Sequence, residues 1–125
     1  MNSILVDTDI LIEVLRERDP SIMSMWKRFA EEETAVVYSP VTAAEIWQGV
    51  RQGEQTRVES AFSLMICVPI EAEVGRIAGG YLRRFRASHG LEVPDALIAG
   101  TAAVHGLPLW TRNRKHYPMR DLQLV

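Results

Sequence analysis

Short apolar runs alternate with helix-patterned segments along the chain, and this alternation restricts the fold more than any other property of the sequence. Ile4-Leu5-Val6, Ala35 to Ser39, Met65 to Pro69 and Leu107 to Trp110 are too short for helices and read as buried strands, with Leu122 to Val125 as a candidate fifth. Between them, Leu11, Val14 and Leu15 recur at helical spacing inside a segment from Ile10 to Arg18. Asp19-Pro20-Ser21 closes that helix, and Ser21 to Glu33, Thr42 to Val50 and Gln55 to Leu64 read as three more. Val74, Ile77, Ala78, Tyr81, Leu82 and Phe85 form one apolar stripe on a helix from Glu71 to Ser88. After a loop from His89 to Val93, Pro94 opens a helix that runs to about Val104, with Gly106 as its C-cap. Strands alternating with helices build a parallel sheet covered on both faces. The predicted fold is therefore α/β, a three-layer α/β/α sandwich with a mostly parallel central sheet.

A chain of 125 residues suits one domain spanning 1–125. Its 47% hydrophobic and 24% charged residues allow a core that needs no covalent staples. The single cysteine, Cys67, excludes an intramolecular disulfide and, inside Met65-Ile66-Cys67-Val68, reads as a small core residue. No stretch approaches the ~18 apolar residues of a membrane span, and the N-terminus lacks a secretory pattern, so a soluble cytoplasmic protein is expected. A net charge of -2 argues against nucleic-acid binding by overall charge, but it permits basic groups arranged around an acidic centre.

In open α/β sheets, ligands bind beyond the carboxyl ends of the strands. Asp7 follows the first strand, Glu45 lies near the start of the helix after the second, and Asp95 stands in the first turn of the helix before the fourth. Thr111-Arg112-Asn113 follows the fourth strand. Each acid also has a plain structural reading. Asp7 can cap the first helix, Thr42-x-x-Glu45 is a capping-box pattern, and Asp95 suits the positive end of a helix dipole. Taken together, converging carboxylates repel unless a cation neutralises them. With oxygen ligands only and His89, His105 and His116 scattered, Mg²⁺ or Mn²⁺ is expected rather than Zn²⁺.

Val6-Asp7-Thr8-Asp9-Ile10-Leu11-Ile12, Ala43-Ala44-Glu45-Ile46, Pro94-Asp95-Ala96-Leu97-Ile98-Ala99 and Leu109-Trp110-Thr111-Arg112-Asn113 stand in the order of the motifs of VapC-type PIN-domain toxins. The chain resembles that family from Ile4 to about Tyr117. The resemblance implies a PIN-like fold, phosphodiester hydrolysis of RNA, a cognate antitoxin and a homodimer. It implies Asp7, Glu45 and Asp95 as the catalytic acids, Asp7 and Asp95 as ligands of Mg²⁺ or Mn²⁺, and Thr111 and Asn113 as supporting hydrogen-bonding residues. Many members carry a fourth acid near the last motif, where this chain reads Asn113-Arg114-Lys115-His116. That departure argues against a permanently filled two-metal centre.

Arg112, Arg114 and Lys115, with Arg120 nearby, are candidate RNA-phosphate contacts, and Arg83, Arg84 and Arg86 form a second basic group. Trp47 and Trp110 read first as packing residues and second as stacking surfaces for bases. Trp26 suits a partner groove, and His116 a phosphate contact or a helix end. Two other readings compete. A receiver domain needs a phosphoacceptor aspartate at the end of a central strand, and the strands ending at Ser39 and Pro69 offer none. A PIN-fold binding module without activity would bind metal weakly and leave RNA uncut.

Overall fold

The computed structural model describes residues 2–125. Its sheet is formed by β1 (Ser3–Val6), β2 (Ala35–Tyr38), β3 (Ile66–Cys67) and β4 (Leu109–Trp110), all parallel, in the order β3-β2-β1-β4. The candidate fifth strand reduces to one parallel bridge between Leu109 and Leu124.

Side chains alternate across the sheet, as the period of two requires. Ile4, Val6, Val36 and Trp110 enter one core, while Leu5, Val37 and Leu109 enter the other. The first core is covered by α1 (Thr8–Arg16), α2 (Pro20–Glu31), α3 (Pro40–Gln48) and α4 (Gln55–Ser63), through residues such as Ile10, Leu11, Phe29, Ile46 and Val58. The second is covered by α5 (Ala72–His89) and α6 (Val93–His105), through Ala78, Tyr81, Ala96, Ile98 and Ala99. This is the expected three-layer sandwich.

Because β4 returns to the far side of β1, the strand order reverses between those two strands. Such a reversal leaves a crevice at their carboxyl ends. Asp7 and Thr111 are the residues that immediately follow β1 and β4, and the Asp7 amide donates to the Trp110 carbonyl at 2.9 Å. On the second face, α5 and α6 pack closely at Gly100, where a Cβ would lie 2.9 Å from the Val74 carbonyl oxygen. Gly106 ends α6 in the left-handed region at φ 61°, as its C-cap reading requires.

Two local expectations are corrected. Cys67 is exposed, because β3 is a two-residue edge strand and not a buried one. The Thr42–Glu45 capping box does not form: Ser39 caps α3 through Val41 N at 3.0 Å, and Pro40 opens the helix. Trp47 is 40% exposed and stacks on Phe62, whereas Trp110 is buried edge-on to Phe29.

Candidate functional site

Asp7 is the N-cap of α1 and is buried. Its Oδ1 accepts from the Thr8 amide at 2.8 Å, as a capping carboxylate does. Its Oδ2 has no part in capping. That oxygen accepts from Thr111 Oγ1 at 2.8 Å and from the Tyr117 hydroxyl at 3.0 Å. Thr111 Oγ1 accepts in turn from the Asn113 amide at 2.9 Å, so the turn after β4 is folded around Asp7.

Asp95 lies in the first turn of α6 and faces this group. The Tyr117 hydroxyl is 3.5 Å from Asp95 Oδ1, and His116 Nδ1 is 3.1 Å from Asp95 Oδ2. Asn113 Nδ2 is 2.9 Å from the same His116 nitrogen. The tautomer of His116 decides which of the two neighbours its Nδ1 bonds. Asn113 and Asp95 are therefore alternative partners of that one His116 nitrogen.

Glu45 is exposed on α3 and joins the group through Thr8. Thr8 Oγ1 donates to Glu45 Oε1 at 2.8 Å and lies 3.0 Å from the buried Thr42 Oγ1. Asp7, Glu45, Asp95, Thr111 and Asn113 thus gather at the carboxyl edge of the sheet.

Arg112, Arg114 and Lys115 divide. Arg114 and Lys115 are exposed on a 3-10 turn spanning Arg114–His116. The Arg112 guanidinium instead lies 3.3 Å from Glu13 and 3.6 Å from Asp19, while its backbone amide donates to Asp9 Oδ2 at 3.2 Å. Glu13 is buried and also binds Arg18 at 2.6 Å, whose hydrogen bond holds its carboxyl below the usual range. Arg84, on α5, spreads its guanidinium over the Tyr81 ring at 5.3 Å.

Two residues of the group were not assigned a role from the sequence. Tyr117 carries no motif signal, since a buried tyrosine reads as core until its hydroxyl is located. Asp9 was visible in Asp7-Thr8-Asp9, but a first-turn acid is indistinguishable from a dipole partner without coordinates.

The electrostatics are those of crowded acids. Burial, then the neighbouring Asp9 charge, pushes Asp7 up to about 6, against the pull of Thr111, Tyr117 and the Thr8 amide. Burial also raises Asp9. Burial followed by the Asp7 and Asp95 charges drives the Tyr117 phenol far above its ordinary value, so the hydroxyl remains a donor. Asp9 Oδ1 is buried and has no hydrogen-bond partner. Oxygen-only donors, repelling carboxylates and an orphaned buried oxygen fit a hard divalent cation. Among the described residues, no three His, Cys, Asp or Glu side chains close into a ready-made cage. The donor set therefore suits a hard divalent cation that keeps much of its water and takes one or two carboxylates.

The PIN domain family model matches residues 4–122. The chain belongs to the PIN domain family. This PIN domain is 34% identical over 121 residues to Ribonuclease VapC19 of Mycobacterium tuberculosis, covering 95% of this chain and 96% of that protein. It is 36% identical over 121 residues to Ribonuclease VapC10 of the same organism, covering 93% and 86%. It therefore groups with the VapC ribonucleases. The structure of VapBC2 from Rickettsia felis, bound to a DNA fragment from their promoter, shares the PIN fold with a TM-score of 0.82 at 21% identity. That match covers 98% of this chain and 97% of the other. No helix among the described residues is long and apolar enough to cross a membrane.

Proposed function

We propose that this PIN domain is a metal-dependent endoribonuclease, the toxin of a toxin–antitoxin pair, which hydrolyses RNA phosphodiester bonds at the Asp7, Glu45 and Asp95 site. The observation that carries this reading is the buried Asp7 carboxylate, held by Thr111 and Tyr117 at the crevice between β1 and β4. Asp7 and Asp95 would hold Mg²⁺ or Mn²⁺. Bound there, the cation supplies charge neutralisation at the phosphate and lowers the pKa of water.

The chain's own residues do the positioning. Thr111 and Tyr117 hold Asp7 Oδ2, while Oδ1 takes one donor, the Thr8 amide. Glu45 spends Oε1 on Thr8 and keeps its second carboxylate oxygen to orient a water or accept its proton. Arg114 and Lys115 give RNA phosphates an attractive rim beside an otherwise acidic site, whereas Arg112 is engaged by Glu13 and Asp19.

An antitoxin, and a second copy of the chain, are the partners of this reading. A cleft of about 110 Å³ between α1, α3 and α4 adjoins Glu45, with Leu15, Ile46 and Val58 among its apolar lining and Arg16, Arg51 and Arg57 among its charged residues. It supports docking of an antitoxin segment beside the site. Action on cellular RNA and an unpaired, exposed Cys67 go with a cytoplasmic location.

Cleavage of total cellular RNA tests the reading. Antitoxin-free wild type and Asp95→Asn are compared with Mg²⁺, Mn²⁺ or EDTA, and the cut ends are mapped. Metal-dependent cleavage by wild type alone is expected. Intact RNA in every condition, from folded protein, would leave the non-catalytic binding module.

A further inference from the structure

The segment after β4 brings donors and cations to the site but no carboxylate, as Asn113-Arg114-Lys115-His116 shows. A further carboxylate reaches it from α1. Asp9 stands in the first turn of that helix, two residues after its cap. Helical Cα–Cβ bonds tilt toward the N-terminus, so its side chain leans back over the carboxyl edge of the sheet. The Arg112 amide holds Asp9 Oδ2 at 3.2 Å, and the adjacent Thr111 holds Asp7 Oδ2 at 2.8 Å. Two successive residues of one turn therefore fasten two acids side by side.

A structural role explains only half of the Asp9 carboxylate. Oδ2 pins the turn, and the helix dipole tolerates the charge. Oδ1 is buried and has no hydrogen-bond partner. A buried acceptor left unmatched is costly, and its natural complement is a donor or a cation.

We propose that Asp9 Oδ1 is an oxygen donor to the divalent cation of this site, beside Asp7. The inference rests on the metal-dependent reading above. It makes the first turn of α1 a two-carboxylate element, with the intervening Thr8 hydroxyl directed to Glu45.

The test is Mn²⁺ binding to metal-free protein, followed by titration calorimetry and by the electron paramagnetic resonance of free Mn²⁺. Asp9→Asn keeps an oxygen for the Arg112 amide and removes the charge, so it separates the two roles of the residue. Its Mn²⁺ affinity is expected to fall at least about tenfold, with thermal unfolding in EDTA no lower than that of wild type. Asp9→Ser, which is smaller, is expected to lose affinity similarly and provides the measurement if the amide variant misfolds. Wild-type affinity in either folded variant, while Asp7→Asn loses binding, would overturn the assignment of Asp9 alone. Absence of Mn²⁺ binding by wild type would overturn the metal-dependent reading and this assignment with it.

Discussion

The Tyr117 hydroxyl donates to Asp7 Oδ2 at 3.0 Å across 110 residues of chain, and its oxygen lies 3.5 Å from Asp95 Oδ1. A neutral donor between two acids satisfies one without adding charge and keeps both carboxylates at a set separation. Tyr117→Phe retains the ring that fills the second core and removes only this bridge. Hydrogen bonds from a neutral group to a charged one contribute about 1.5–3 kcal/mol, so a loss of about 1–2 kcal/mol is expected in urea unfolding. Single-turnover cleavage is expected to slow by about tenfold or more, the equivalent of about 1.4 kcal/mol in the barrier. Unchanged cleavage with lowered stability would make Tyr117 a packing residue only.

Asp7 makes stability depend on pH in an unusual direction. Its carboxyl is raised from 3.8 to about 6 in the folded chain, so the folded state binds more protons between those values. The contribution is fully present below the unfolded pKa and is lost as pH rises through the folded one. A shift of about two units corresponds to about 3 kcal/mol. In EDTA, the stability of wild type relative to Asp7→Asn is therefore expected to fall as pH rises from about 4 to about 7. Thermal melts across this range check the sign. Asp7→Asn is also expected to abolish cleavage while remaining folded.

Gly100 sets the distance between the two helices of the second face. A methyl group there would meet the Val74 carbonyl oxygen at 2.9 Å and Val74 Cγ1 at 3.3 Å. Backbone cannot yield as a flexible side chain can, so Gly100→Ala forces α6 away from α5. A destabilisation of about 1–3 kcal/mol is expected from overpacking, read as a lower denaturant midpoint. Since Asp95 rides on α6, cleavage should weaken even where the variant is fully folded.

Cys67 is exposed on the edge strand. It should react with a thiol reagent in the native protein as completely as in denaturant. Cys67→Ser is expected to change stability by less than about 0.5 kcal/mol, as surface substitutions do. Slow modification that requires unfolding would show that the thiol is covered in solution.

The layered fold was legible because its strands and helices carry different hydrophobic periods, and the Val74-to-Phe85 stripe does lie against the second core. Asp7, Asp95 and Thr111 were legible from their places at element ends. The limits have physical causes. An apolar run does not reveal whether its strand is central or at an edge, which misled the reading of Cys67. Thr42 and Glu45 have capping-box spacing, but Ser39-Pro40 starts the helix earlier, so the threonine turns inward to Thr8. The basic run after β4 likewise does not show that Arg112 turns away to Glu13 and Asp19. Tyr117 acts through one hydroxyl whose partners lie far off in sequence, and no local pattern encodes that.

The donors that hold Asp7 Oδ2 come from Thr111 and Tyr117, 104 and 110 residues further along the chain. A ribosome delivers Asp7, Asp9 and Glu45 before the segment that carries both donors, and before β4 can pair with β1. The carboxylates are thus made before the hydroxyls that hold one of them, and the group is complete only in a chain that has extended past Tyr117.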